Sequence, residues 1–265
     1  MKPSHLLAAA FALSLASPVF AAGGDVTAVV VGGTLTITGD TGDNEIAVTP
    51  GGAGEFTVTG LNGTTVNLTT DSTLSGVRTI QADMGAGADR IAFNGGRIRG
   101  TLRVQLGDGA DECILNGVRV RGGAAILGSD GDDRVVSANN AFVRKMLRID
   151  TGAGDDTVEF RNADCTGRTI IGTGGGIDTV TCLESGFEDL SIRTGQGNDT
   201  VSIDNCDLND DVDIDTGADA DHVTLEDSNF ESRTTVSGGG GNEDNISVHS
   251  GNDFNRRPRL RSFES

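Results

Sequence analysis

Tryptophan and tyrosine are absent from this chain, and its 265 residues include only 4 prolines, 4 cysteines and 20 basic side chains against 39 acidic ones. Each shortage removes a class of function. Without indole or phenol rings there is no stacking platform of the usual kind for sugars or nucleobases. A formal charge of −19 repels phosphate backbones and anionic membrane surfaces, which excludes nucleic acid and makes cations the natural partners. Past residue 21 no apolar run approaches the ~20 residues of a transmembrane helix, so no transmembrane segment is expected. Histidine is equally scarce. His222 and His249 stand singly beside acidic turns, and His5 lies in the leader. No Ser-His-Asp ordering, metalloprotease helix motif or phosphate loop is present, so a non-catalytic protein is expected.

The first 21 residues have the form of a signal peptide. Lys2 supplies the charge, Leu6 to Val19 the apolar stretch and Val19-Phe20-Ala21 the small-residue cleavage pattern. The mature chain is therefore expected to be secreted, periplasmic or at the cell surface. Beyond it the sequence divides into degenerate capping coils over 22–82, regular repeats over 83–250 and a basic tail over 251–265. The tail, with Arg256, Arg257, Arg259 and Arg261, is expected to be unstructured.

What the chain has in abundance is glycine, 40 in all, placed with a period. Aligning on one aspartate per repeat gives Asp89, Asp111, Asp133, Asp156, Asp178, Asp199, Asp221 and Asp244, spaced by 21 to 23 residues. Two residues earlier stand Gly87, Gly109, Gly131, Gly154, Gly176 and Gly197, then Asp219 and Asn242, types that also tolerate positive φ. Four residues earlier a second glycine recurs, from Gly85 to Gly240, with Ser129 the one substitution.

After each aspartate, alternate positions are apolar. Ile91, Cys113, Val135, Val158, Val180, Val201, Val223 and Ile246 come two residues on, and Phe93, Leu115, Ser137, Phe160, Cys182, Ile203, Leu225 and Val248 four on. Further columns run through Ile98, Val120, Phe142, Cys165, Phe187, Leu208 and Phe230, and through pairs such as Leu147/Ile149 and Val212/Ile214. This is the alternation of half-buried strands. A strand pair repeating every ~22 residues cannot bury its apolar side alone, whereas stacked copies bury it continuously. The fold class expected is all-β, a single-stranded parallel β-helix (β-solenoid) of about ten coils. Two of these are degenerate, at Asp40–Asn44 with Ile46 and Val48, and at Gly60–Thr64 with Val66 and Leu68. Cys113, Cys165 and Cys182 fall in apolar columns and are expected as buried thiols; Cys182 and Cys206, one coil apart, leave a disulfide open.

The glycine-aspartate turn, as in Thr151-Gly152-Ala153-Gly154-Asp155-Asp156-Thr157-Val158, resembles the haemolysin-type (RTX) calcium-binding repeat. That resemblance implies calcium held between successive turns by backbone carbonyls and by the carboxylates of Asp89, Asp111, Asp133, Asp156, Asp178, Asp199, Asp221 and Asp244. The motif occurs here once per coil, whereas RTX repeats recur every nine residues. Electrostatics points the same way, because carboxylates ~5 Å apart repel by roughly 1 kcal/mol in water and ~3 kcal/mol at an effective dielectric near 20. The alternative is that each aspartate accepts hydrogen bonds from turn amides. At the level of function, an exported calcium-binding solenoid with a structural, adhesive or cell-surface role is expected, its partner an extracellular polymer or cell-surface protein. A metal-independent interaction scaffold and a polysaccharide-active enzyme are the alternatives.

Overall fold

The computed structural model describes residues 24–241 and 243–263; the leader lies outside them. It is an all-β parallel solenoid of about eight turns, without helices among the described residues. No helix there is long and apolar enough to cross a membrane.

Each coil contributes three strand segments, seen for example in Glu112–Asn116, Arg119–Val120 and Ala124–Asp130. The first segments stack in parallel into one face, which runs from Glu45–Pro50 through Arg90–Asn94 to Asn245–Val248. The third segments form a second face, with Leu102, Ala124, Leu147 and Thr169 in register. The two-residue segments make the corner between them. Inward columns on both faces, such as Ile91, Cys113, Val135, Val158 and Val180, are fully buried. Phe160 and Phe187 meet edge to face, with centroids 5.2 Å apart. All four cysteines, Cys206 included, are buried free thiols.

The repeat length varies, and the irregularities sit mainly at corners. The coil after Asp133 carries one extra residue, taken up where Asn139 and Asn140 both adopt positive φ (55° and 62°). In consequence Val143, not the expected Phe142, stacks under Val120 and is buried, while Phe142 pairs with Arg119 and is only half-buried. The shorter coil ending at Asp199 loses its residue on the other side of the corner segment, where Cys165 pairs with Phe187 but Arg168 with Asp189. The last turn also departs from the simple spacing. A Cβ on Gly239 would meet Gly217 O, and one on Gly241 would meet Asp219 O, so these two glycines occupy the positions expected of Gly240 and Asn242. Asn242 is outside the described residues.

The ends differ from the expectation too. Asp40–Asn44 does form a coil turn, and Ile46 and Val48 pair with Ile91 and Phe93. The segment at Gly60–Thr64 does not. The chain there folds back antiparallel, Glu45–Pro50 against Glu55–Gly60 and that against Asp71–Ser75, leaving Leu68 85% exposed. Asp25–Val31 and Thr34–Thr38 form a second antiparallel pair. Antiparallel strands thus cover the first edge of the stack, which reduces the coil count from ten to about eight. Beyond residue 250 the chain is not without structure. Asp253–Phe254 pairs with Asn229–Phe230, Arg259–Arg261 pairs with Thr235–Ser237, and Phe254 stacks on Phe230 at 4.6 Å.

Candidate functional site: the aspartate file

Between the second face and the first, the chain turns through its two glycines, and the geometry of that turn requires them. Gly107 has φ +104°, and a Cβ there would stand 1.7 Å from Gly85 O of the preceding coil. The backbone of one turn rests directly on the backbone of the next, leaving no room for a Cβ at Gly107; Ser129, at the same place in the following coil, does not adopt the positive φ. This close stacking brings the following aspartates into one file along the axis. All eight are buried, none more than 3% exposed.

Each carboxyl reaches back one coil. The backbone N–H of Asp89 donates to Oδ1 of Asp111 at 2.6 Å, Asp111 N–H to Asp133 at 3.0 Å and Asp133 N–H to Asp156 at 2.8 Å. The series continues from Asp156 to Asp178, Asp178 to Asp199 and Asp199 to Asp221, each at 2.9 Å, then from Asp221 to Asp244 at 3.1 Å. At the head of the file Asn44 takes the aspartate position and donates its N–H to Asp89 Oδ1 at 2.7 Å. The second oxygen is different. Oδ2 of Asp89, Asp111, Asp133, Asp156, Asp178, Asp199 and Asp221 is buried without a hydrogen-bond partner among the described residues. The threonines opening the later turns stand near their aspartates. Their hydroxyl protons, however, are aimed at the next coil's carbonyl: Thr194 donates to Thr216 O at 2.8 Å and Thr173 to Thr194 O at 3.2 Å.

Burial therefore dominates the protonation of the file. It pushes the carboxyl of Asp89 up to about 7, Asp133 to about 8, and Asp111, Asp156 and Asp199 to about 6; Asp178 and Asp221 move in the same direction. Neighbouring aspartates reinforce this at Asp133, which faces Asp111 and Asp156, while the inter-coil N–H opposes it.

Calcium takes six to eight oxygens converging on one point. Here one oxygen of each carboxyl is held by an amide and, from Asp89 to Asp221, the other is enclosed without a hydrogen-bond partner among the described residues. Among the described residues, no three acidic, histidine or cysteine side chains come together in a way that would hold a metal. The eight aspartates line up as rungs and do not fit a calcium cage. The remaining turn acids Asp108, Asp130, Asp132, Asp155 and Asp219 point outward into solvent. Some of them cap amides, as Asp132 does for Asp155 N–H at 2.8 Å.

Two outer features escaped the sequence reading. Directly after each aspartate comes an outward residue, and early in the stack these alternate in charge. Arg90 bridges Glu45 (3.0 Å) and Glu112 (2.6 Å), and Arg134 bridges Glu112 and Glu159, making an ion-pair ladder over successive coils. Later in the stack the same face becomes hydroxylic. Thr157, Thr179 and Thr200 form one column that continues into His222, and Thr181, Ser202, Thr224 and Ser247 form another. Thr224 meets His222 Nε2 at 3.1 Å; the hydroxyls of Thr157, Thr179, Thr181, Thr200, Ser202 and Ser247 have no hydrogen-bond partner among the described residues. Reading the residues one and three places after each ladder aspartate as two columns would have exposed both features.

Comparison with protein families, with curated proteins and with solved structures finds no match.

Proposed function

We propose that this chain is an exported, non-catalytic solenoid scaffold that offers its hydroxyl strip to an extracellular polymer rich in hydroxyl groups. The signal-peptide pattern of residues 1–21 supports export. The observation that carries the binding reading is the strip itself. Two columns of small hydroxylic side chains, spaced by the ~4.8 Å of paired strands, stand half-exposed on one face, and all their hydroxyls but that of Thr224 have no hydrogen-bond partner among the described residues. Repeated donors and acceptors at fixed spacing suit a partner that is itself periodic, because each additional coil in register adds a contact without a new ordering cost. An enzyme reading gains no support from the acids. The aspartates are enclosed, and the polar hollow lined by Asn162, Asp164, Glu184, Asn205 and Asp207 is a shallow groove at the far end of the first face.

Co-sedimentation with a panel of insoluble polysaccharides tests the proposal. The mature chain is expected to pellet with at least one of them, and Thr181→Arg/Thr200→Arg, which keeps the buried columns, is expected to lose most of that binding. Equal pelleting of the variant, or no binding across neutral and acidic polymers, would remove the strip from consideration.

A further inference from the structure

The aspartate file does not suit calcium, yet its buried oxygens still require an explanation. We propose that the file binds protons: in mildly acidic surroundings Asp89, Asp111, Asp133, Asp156, Asp178, Asp199 and Asp221 of the folded solenoid are held as neutral carboxylic acids, Oδ1 accepting the inter-coil amide and Oδ2 carrying the proton.

Three observations lead there. First, in Asp89, Asp111, Asp133, Asp156, Asp178, Asp199 and Asp221 one carboxyl oxygen is used and the other is enclosed without a hydrogen-bond partner among the described residues, an arrangement that penalises a full negative charge and tolerates an O–H. In the later coils the threonine hydroxyl beside the carboxyl favours the charged form where it donates to it, against the larger effect of burial; with its proton on the next coil's carbonyl, its oxygen can accept an Oδ2–H. Second, the charges that act on the file are acidic. Asp43 and Asp111 act on Asp89; Asp43 and Asp108 on Asp111; Asp132 and Asp178 on Asp156; Asp155 on Asp178; and Asp219 and Asp244 on Asp221. No lysine, arginine or histidine figures among the groups that act on these carboxyls. Third, the position at the head of the file is already occupied by the uncharged isostere. Asn44 stands in the aspartate position of its coil, and its N–H makes the same bond to Asp89. The raised carboxyl values agree with this geometry.

The direction of the linkage follows. An aspartate titrates near 3.9 in the unfolded chain, and in the file the resolved values lie between about 6 and about 8. Between those limits the folded state holds more protons than the unfolded state, so the file's contribution to stability falls as pH rises from about 4 to about 8. The rod is therefore most stable in mildly acidic surroundings.

The test combines three readings on the mature chain. Thermal unfolding from pH 4.5 to 8.5 is expected to show a fall in Tm of well over ten degrees. Asp133→Asn and Asp156→Asn keep the Oδ1 acceptor and remove the ionisation. Each should raise Tm at pH 8, leave it nearly unchanged at pH 5 and flatten the profile. Asp130→Asn, which removes an exposed charge from the same turns, should shift the curve without flattening it. Infrared spectra of the unmodified folded protein near neutral pD are expected to contain the carbonyl band of protonated carboxylic acid, so the proposal can be checked even if an Asn variant fails to fold. A pH-independent Tm, absence of that band, or a Tm that rises with millimolar calcium far more than with sodium chloride of equal ionic strength would overturn it. None of these outcomes depends on the hydroxyl strip binding a polymer.

Discussion

Within one glycine turn, adjacent residues face opposite demands. Gly174 has φ +101° and a Cβ there would lie 2.0 Å from Gly152 O, while Gly175 next to it has nothing within 4 Å. Gly174→Ala is therefore expected to cost at least about 3 kcal/mol, from strain and backbone collision together. Gly175→Ala should be neutral within ~0.5 kcal/mol. Urea unfolding of the two variants measures the contrast, and equal effects would contradict the stacking of turn on turn. The need for glycine could be read directly from the sequence, because a residue type recurring every 22 positions marks a backbone constraint. The fate of the aspartates could not. Gly-x-Gly-x-Asp suits a carboxylate turned toward a cation as well as one turned toward an amide, and only the packing of neighbouring coils separates the two. Phe142 and Val143 show the same limit. Both are apolar, and which one turns inward depends on how the corner at Asn139 and Asn140 absorbs an extra residue.

At the scale of the strand, the first face changes character along its length, from an ion-pair ladder to a hydroxyl lattice. Glu112 and Glu159 are nearly buried, at 6% and 3% exposure, and Arg134 spans both. Truncating Arg134 leaves two enclosed carboxylates each short of a partner. Arg134→Ala is expected to destabilise by about 2 kcal/mol. Chemical denaturation beside Arg134→Met, which keeps most of the stem, checks this; full recovery by methionine would mean that the arginine matters only for its packed stem. Strand identity was readable from period-two alternation through most of the repeat region. The antiparallel strands near the first end were not, since Val66 and Leu68 alternate as a coil strand would, yet only Val66 is buried. Alternation reports which side a residue faces and carries no information on strand direction.

For the molecule as a whole, the coils form a nearly one-dimensional chain of nearest-neighbour contacts, so stability should vary with position along the axis. Coils between residues 134 and 226 have a neighbour on both sides. Asn245–Val248, by contrast, pairs only with His222–Leu225 among the described residues. Hydrogen exchange is expected to be slowest in first-face strands of the central coils and fastest in Asn245–Val248 and Arg259–Arg261. Uniform protection along the axis would indicate a single cooperative unit instead.

The aspartate bonds also have a direction. Every one runs from the amide of an earlier coil to the carboxyl of the coil after it, from Asn44 and Asp89 through Asp221 and Asp244. A coil is thus latched by the next one to arrive. In a chain that emerges amino end first, each completed coil waits with a free amide until its successor delivers the acid that closes it. The solenoid then behaves as a ratchet: assembly advances toward the carboxyl end, and each coil added makes the one behind it harder to undo.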